Sequence, residues 1–123
     1  MSGHEHTHEH GRDLLAGLAP HTRDLRDLIP GVYEGFGRMH AAAFADGEVD
    51  RKTKELIALA IAVAVRCDGC IAAHAKAAAR EKATEKEVAE AIGIAISMSG
   101  GPGTVYGPHA IAAFRSFTAP AEG

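Results

Sequence analysis

Apolar residues recur at three- and four-residue intervals over most of this chain, the period of helices that turn one face inward. Thr22 can cap a short helix through Leu28. Pro30 suits the first turn of a second helix, where its missing N–H costs nothing, and Val32, Phe36, Met39 and Ala43 follow at helical spacing. Asp46-Gly47 is a turn signal that ends it, and Asp50 can cap a third helix reaching about Arg66. Within that helix Leu56 to Val65 is apolar on every face, which predicts burial at the centre of the protein or against another subunit. A buried strand also fits the alternation there, but its length and alanines favour helix. Cys67 to Gly69 reads as a break, and a fourth helix runs from about Cys70 to Lys82. Thr84 and Glu87 have the spacing of a capping box. They open a fifth helix with Val88, Ala91, Ile92, Ala95 and Ile96 on one face. Gly100-Gly101-Pro102-Gly103 reads as a breaker, and Pro108 as the start of a last helix bearing Ile111, Phe114 and Phe117. No internal repeat or strand-rich stretch stands out.

The domain boundaries follow. Residues 1–20 are expected to be a flexible histidine-rich tail, most clearly Met1 to Gly11, which lack apolar periodicity. Residues 21–118 form one helical domain, and 119–123 a frayed C-terminal tail. Composition narrows the chemistry. Hydrophobic residues make up 46% of the 123, but aromatics only 5%, so the core is aliphatic and alanine-rich. A net charge of −3 supplies no basic field for nucleic acid. The longest apolar run falls short of the roughly 20 residues of a membrane span, and no signal peptide is visible. The expected compartment is the cytoplasm, with no membrane association.

Both cysteines stand together in Cys67-Asp68-Gly69-Cys70, so none is left for a staple elsewhere. Such a pair can close a small disulfide and reopen it, passing two electrons. A helix N-terminus near Cys70 would favour its thiolate. His74 lies one turn further on the same face and can carry a proton near neutral pH. Glu55, in the preceding helix, can orient or charge that histidine. Asp68 puts a negative charge beside Cys67, opposing its thiolate. Measured along straight helices, Glu55 lies about 18 Å from Cys67 and His74 only about 6 Å from Cys70. A simple antiparallel hairpin would therefore leave Glu55 and His74 apart.

The segment Lys54-Glu55-Leu56 through Cys67-Asp68-Gly69-Cys70-Ile71-Ala72-Ala73-His74 resembles the alkylhydroperoxidase D-like (AhpD-like) group of the carboxymuconolactone decarboxylase family. A Glu, a Cys-x-x-Cys twelve residues on and a His four residues after the second Cys match in place, and the resemblance extends over roughly Pro30 to Phe117. It implies an all-α, compact bundle of about five to six helices, assembled as a homo-oligomer, commonly a trimer or hexamer. It also implies an antioxidant thiol peroxidase or disulfide reductase. Glu55, Cys67, Cys70 and His74 would be the catalytic set and the Cys67–Cys70 disulfide the redox element, with no cofactor. Cys70 would react with the hydroperoxide. Cys67, the more exposed of the two, would resolve the sulfenic acid and meet the reductant, a lipoyl domain or a thioredoxin-like protein. Gly69 stands where peroxidases of this group often carry a histidine. The family's decarboxylase branch lacks the cysteine pair, which disfavours lactone decarboxylation.

Other readings remain. The pair could serve a dithiol–disulfide reductase or a redox sensor without fast peroxidase activity. Cys67, Cys70 and His74, with Glu55, could hold a metal ion. The spacing does not suit covalent haem attachment, because Ile71 follows Cys70. His4, His6, His8 and His10 alternate with Glu5, Thr7 and Glu9, a pattern able to bind a divalent metal or to be only a polar tail. His40 and His109 have no partner nameable from sequence.

Overall fold

The computed structural model describes residues 10–119, and among them every regular element is a helix. They are α1 (Arg12–Leu28), α2 (Pro30–Phe44), α3 (Arg51–Ala64), α4 (Asp68–Arg80), α5 (Glu85–Ser99) and α6 (Gly101–Thr118). Helices α3 to α6 enclose the core. Leu59 and Val63 of α3 meet Ile71, Ala75 and Ala78 of α4, Val88, Ile92 and Ala95 of α5, and Ala110, Ala113 and Phe114 of α6. With so many alanines in contact, helix axes can approach closely, and each larger aliphatic side chain fills the space that its small neighbours leave. Helix α1 lies across α4 and α6, whereas the backbone of α2 comes close only to α1 and α3; α2 reaches α4 through the rings of His40 and Phe44 and buries no residue of its own.

Several helix ends follow the sequence. Asp50 caps α3 by accepting the Thr53 N–H at 2.8 Å. Thr84 and Glu87 form both halves of the capping box that opens α5. The Glu87 carboxyl is held below the ordinary carboxylate range, first by the Thr84 backbone N–H and then by Lys52.

Three expectations are corrected. Helix α1 begins at Arg12, ten residues before Thr22, so residues 12–20 belong to the folded domain. It passes through Pro20, which is exposed. The start is tied down instead by α6: the Arg12 N–H donates to Ser116 Oγ at 3.1 Å and Arg12 Nε to the Ser116 carbonyl at 3.0 Å. Gly11 makes that approach possible, since a Cβ there would run into Ser116 Oγ and stand 2.9 Å from Ala113 Cα. Secondly, α6 begins at Gly101, and Pro108 lies inside it. The break expected over residues 100–103 is confined to Gly100 (φ 70°), and Gly101 and Gly103 belong to the first turn of α6. Gly103 is needed there because a Cβ would sit 2.9 Å from Ile96 Cα of α5. Thirdly, the centre of the chain buries α3 on one side only, and the other side is left for the alternative, a second subunit. Leu59 and Val63 are fully buried, but Ile57, Ile61 and Val65 stand half open or more. The histidine-rich run through His8 and the last four residues lie outside the described residues.

Candidate active site

The cysteine pair sits where one helix ends and the next begins. Arg66 takes a left-handed conformation (φ 60°) at the end of α3. Its N–H bonds the Val63 carbonyl at 3.2 Å, and the Cys67 N–H bonds the Ala62 carbonyl at 3.1 Å. This paired closure satisfies carbonyls that the helix end would leave orphaned and turns the chain sharply. Cys67 is then also the N-cap of α4: its Sγ accepts the Cys70 N–H at 3.3 Å. The two cysteines are joined as a disulfide, with Cα atoms 5.3 Å apart.

Two sequence expectations change here. Helix α4 starts at Asp68, so the capping N–H reaches the sulfur of Cys67 and not that of Cys70. Cys70 is also the more exposed residue of the pair, and Cys67 the half-buried one, the reverse of the order expected.

Glu55 and His74 do meet. Glu55 lies nine residues before the end of α3, and His74 six residues into α4. The mismatch is only about 4–5 Å of helix rise, which two long side chains span. His74 Nδ1 and Glu55 Oε1 are 2.8 Å apart, and the carboxylate, which only accepts, fixes the N–H on Nδ1. His74 Nε2 is thereby left as the acceptor. Glu55 is 1% exposed, an uncommon place for an acid. Its second oxygen faces Arg51 Nε at 3.6 Å, an ion pair beyond hydrogen-bond distance, and neither atom has a hydrogen-bonding partner among the described residues. Arg51 also lies 3.9 Å from Glu81.

These groups line one cleft of about 430 Å³. Cys67, Cys70 and His74 form one wall with Ala73 and Ala77, while Leu18 and Phe36 bring apolar surface from α1 and α2. His40 closes the far side. Its ring stacks on Phe44 at 4.3 Å and lies 5.8 Å from His74, and Phe44 lies 5.3 Å from His74. His74 is therefore held between a buried carboxylate and an aromatic stack. Arg51, Phe36, His40 and Phe44 were not picked out as site residues from sequence. Their spacing carried a signal: Arg51 is four residues before Glu55, and Phe36, His40 and Phe44 are each four apart on α2. A Cβ at Gly69 would meet only Leu18 Cδ1, at 3.9 Å, so the position has room for a side chain.

Asp68 does not face Cys67 unpartnered. Its Oδ1 lies 2.9 Å from His109 Nδ1 of α6 and 3.7 Å from His10 Nδ1, just before α1. Among the described residues, these three are the group whose ligand atoms converge as a metal site requires. The Cys67, Cys70, His74 and Glu55 set does not present itself in that way: the sulfurs bond each other and Glu55 takes His74 Nδ1.

Residues 30–115 match the sequence model of the carboxymuconolactone decarboxylase family. An uncharacterised protein of Cupriavidus necator is 40% identical over 90 residues, covering 73% of this chain and 80% of its own. One encoded in the cox locus of Paracoccus denitrificans, also uncharacterised, is 39% identical over 81 residues, 66% of this chain and 73% of its own. A crystal structure of an apo-form carboxymuconolactone decarboxylase family protein from Legionella pneumophila superposes with a TM-score of 0.80. It is 38% identical, over 93% of this chain and 98% of the other.

Proposed function

Because the chain belongs to the carboxymuconolactone decarboxylase family, we propose that it is a thiol peroxidase of the AhpD-like kind, acting on hydroperoxides through Cys67 and Cys70. The observation that carries this reading is one cleft shared by a closed Cys67–Cys70 disulfide and a Glu55–His74 pair bonded at 2.8 Å.

In the reduced enzyme His74 Nε2 takes the Cys70 proton, and Glu55 balances the charge that appears on the ring. The Cys70 thiolate attacks the terminal oxygen of the hydroperoxide. The O–O bond breaks, the proton goes to the leaving alkoxide, and Cys70 becomes a sulfenic acid. Cys67 condenses with it, releasing water and forming the disulfide. Cys70 suits the first role because it is the more exposed residue of the two and shares a helix face with His74. A dithiol partner, a lipoyl domain or a thioredoxin-like protein, restores the pair by exchange. The geometry favours its attack on the exposed Cys70 sulfur, since Cys67 then leaves as a thiolate stabilised by the Cys70 N–H. The mixed apolar and polar lining of the cleft suits a small organic hydroperoxide. The working unit is a homo-oligomer in the cytoplasm, trimer or hexamer, with subunits meeting on the open faces of α2 and α3. Among the described residues no helix is long and apolar enough to cross a membrane.

The test is a thiol count and intact mass of reduced protein before and after one equivalent of an alkyl hydroperoxide. Rapid loss of both thiols is expected, with a sulfenate trapped on Cys70 in Cys67→Ser. Slow thiol loss with intact exchange against a dithiol protein would make the chain a disulfide reductase instead.

A further inference from the structure

Beside the disulfide, on the far side of Asp68, we infer a divalent transition-metal site formed by His10, Asp68 and His109. It stands independently of the peroxidase reading. The three residues come from distant parts of the chain: just before α1, the first residue of α4 and the middle of α6. Their ligand atoms nevertheless lie within 4.8 Å of one another.

Two imidazole nitrogens and one carboxylate oxygen suit a borderline-soft ion of the zinc class. Ligands about 2.0–2.1 Å from such an ion in a tetrahedron stand roughly 3.3 Å apart. The observed separations from Asp68 Oδ1, 2.9 Å to His109 and 3.7 Å to His10, bracket that value. For both Nδ1 lone pairs to meet at one ion, the two stacked imidazoles must also tilt toward each other. The remaining positions would be open to water, since the three side chains are only partly buried, at 23%, 37% and 24% exposed.

The arrangement is built rather than incidental. The His10 and His109 rings stack face to face, 3.9 Å between centroids and 12° from parallel, so both Nδ1 atoms are presented to the same oxygen. Tyr106, one turn before His109, packs edge-on against that ring at 4.7 Å. Gly11 and the Arg12–Ser116 bonds press the chain onto α6 beside His10 and so fix where that ring lands. A bound ion would also offset the Asp68 carboxylate that flanks Cys67.

Cobalt(II) titration of the full chain, held in the disulfide form so that no thiol can serve as ligand, tests the site. The expected result is one ion per chain with visible d–d absorbance, displaced by zinc. A variant with His4, His6 and His8 all changed to Gln should keep that site. His109→Gln and Asp68→Asn should each weaken it at least tenfold, with circular dichroism confirming that both remain folded. Undiminished binding in folded His109→Gln and Asp68→Asn would overturn the assignment. So would loss of binding in the triple variant, or no binding by the unaltered chain at micromolar protein and tenfold excess of cobalt.

Discussion

Glu55 is the residue around which the candidate site is organised. A buried carboxylate flanked by one guanidinium and one imidazole is costly to strip of either partner, because the charge left behind stays out of water. Its place on α3 therefore secures His74 as well as serving it. If the two act as one proton-handling unit, their effects will not add. Glu55→Gln and His74→Asn should each lower kcat/KM for a hydroperoxide by about 100-fold or more. The double variant should be little worse than the weaker single one. Independent roles would instead multiply the losses, so stopped-flow rates on the four proteins decide between the two.

At the scale of the helix, the site depends on how chains turn corners. Both α3 and α4 end in the same closure, with a non-glycine residue held left-handed: Arg66 at φ 60° and Lys82 at φ 68°. That conformation is costly for any residue with a Cβ, and glycine adopts it freely. Lys82 lies at the α4–α5 corner, away from the cysteines. Lys82→Gly should stabilise the protein by up to about 1 kcal/mol, after allowing for the freedom that glycine gains in the unfolded chain. Denaturant melts with an unchanged slope would verify it, and a lowered midpoint would count against the strain argument. These corners also mark what the sequence could disclose. Asp50 and the Thr84–Glu87 box were legible because a cap is a local arrangement of neighbouring residues. The left-handed turns were not, since neither carries the usual glycine, while Gly100-Gly101-Pro102-Gly103 suggested a longer break than the single residue, Gly100, that parts α5 from α6. There the deciding contact is the close approach of Gly103 to Ile96 of α5, which no helix propensity encodes. Glu55, Cys67, Cys70 and His74 were legible as a spaced motif, but the Asp68–His109 contact spans 41 residues and left no periodic trace.

On the scale of the whole chain, the unfinished surface is the main feature. Val32, Phe36 and Met39 stand open on α2, and Ile57 and Ile61 on α3 with Val65 just past its end, each between 50% and 65% exposed. Apolar hollows beside Ile57 and Ile61 lie against Phe44 and Val49 on one side and Ala91 and Ile94 on the other. Apolar surface this extensive marks a protein–protein contact more often than a free face. Light scattering should give a multiple of the 12.8 kDa chain mass. Ile61→Glu, which leaves the core residues Leu59 and Val63 in place, should shift the population to single chains with unchanged helix content. A wild-type mass of one chain would dismiss assembly.

The amide of Cys70 donates to a sulfur that is itself half of the Cys67–Cys70 disulfide. Whatever happens to that sulfur, whether it is bonded to its neighbour, free as a thiolate or protonated, alters the acceptor that this one proton sees. The backbone thus carries its own oxidation gauge. A single cross-peak in a nitrogen–proton NMR spectrum should move in step with the electrons held by the protein, so that turnover could be followed without dye, label or coupled enzyme.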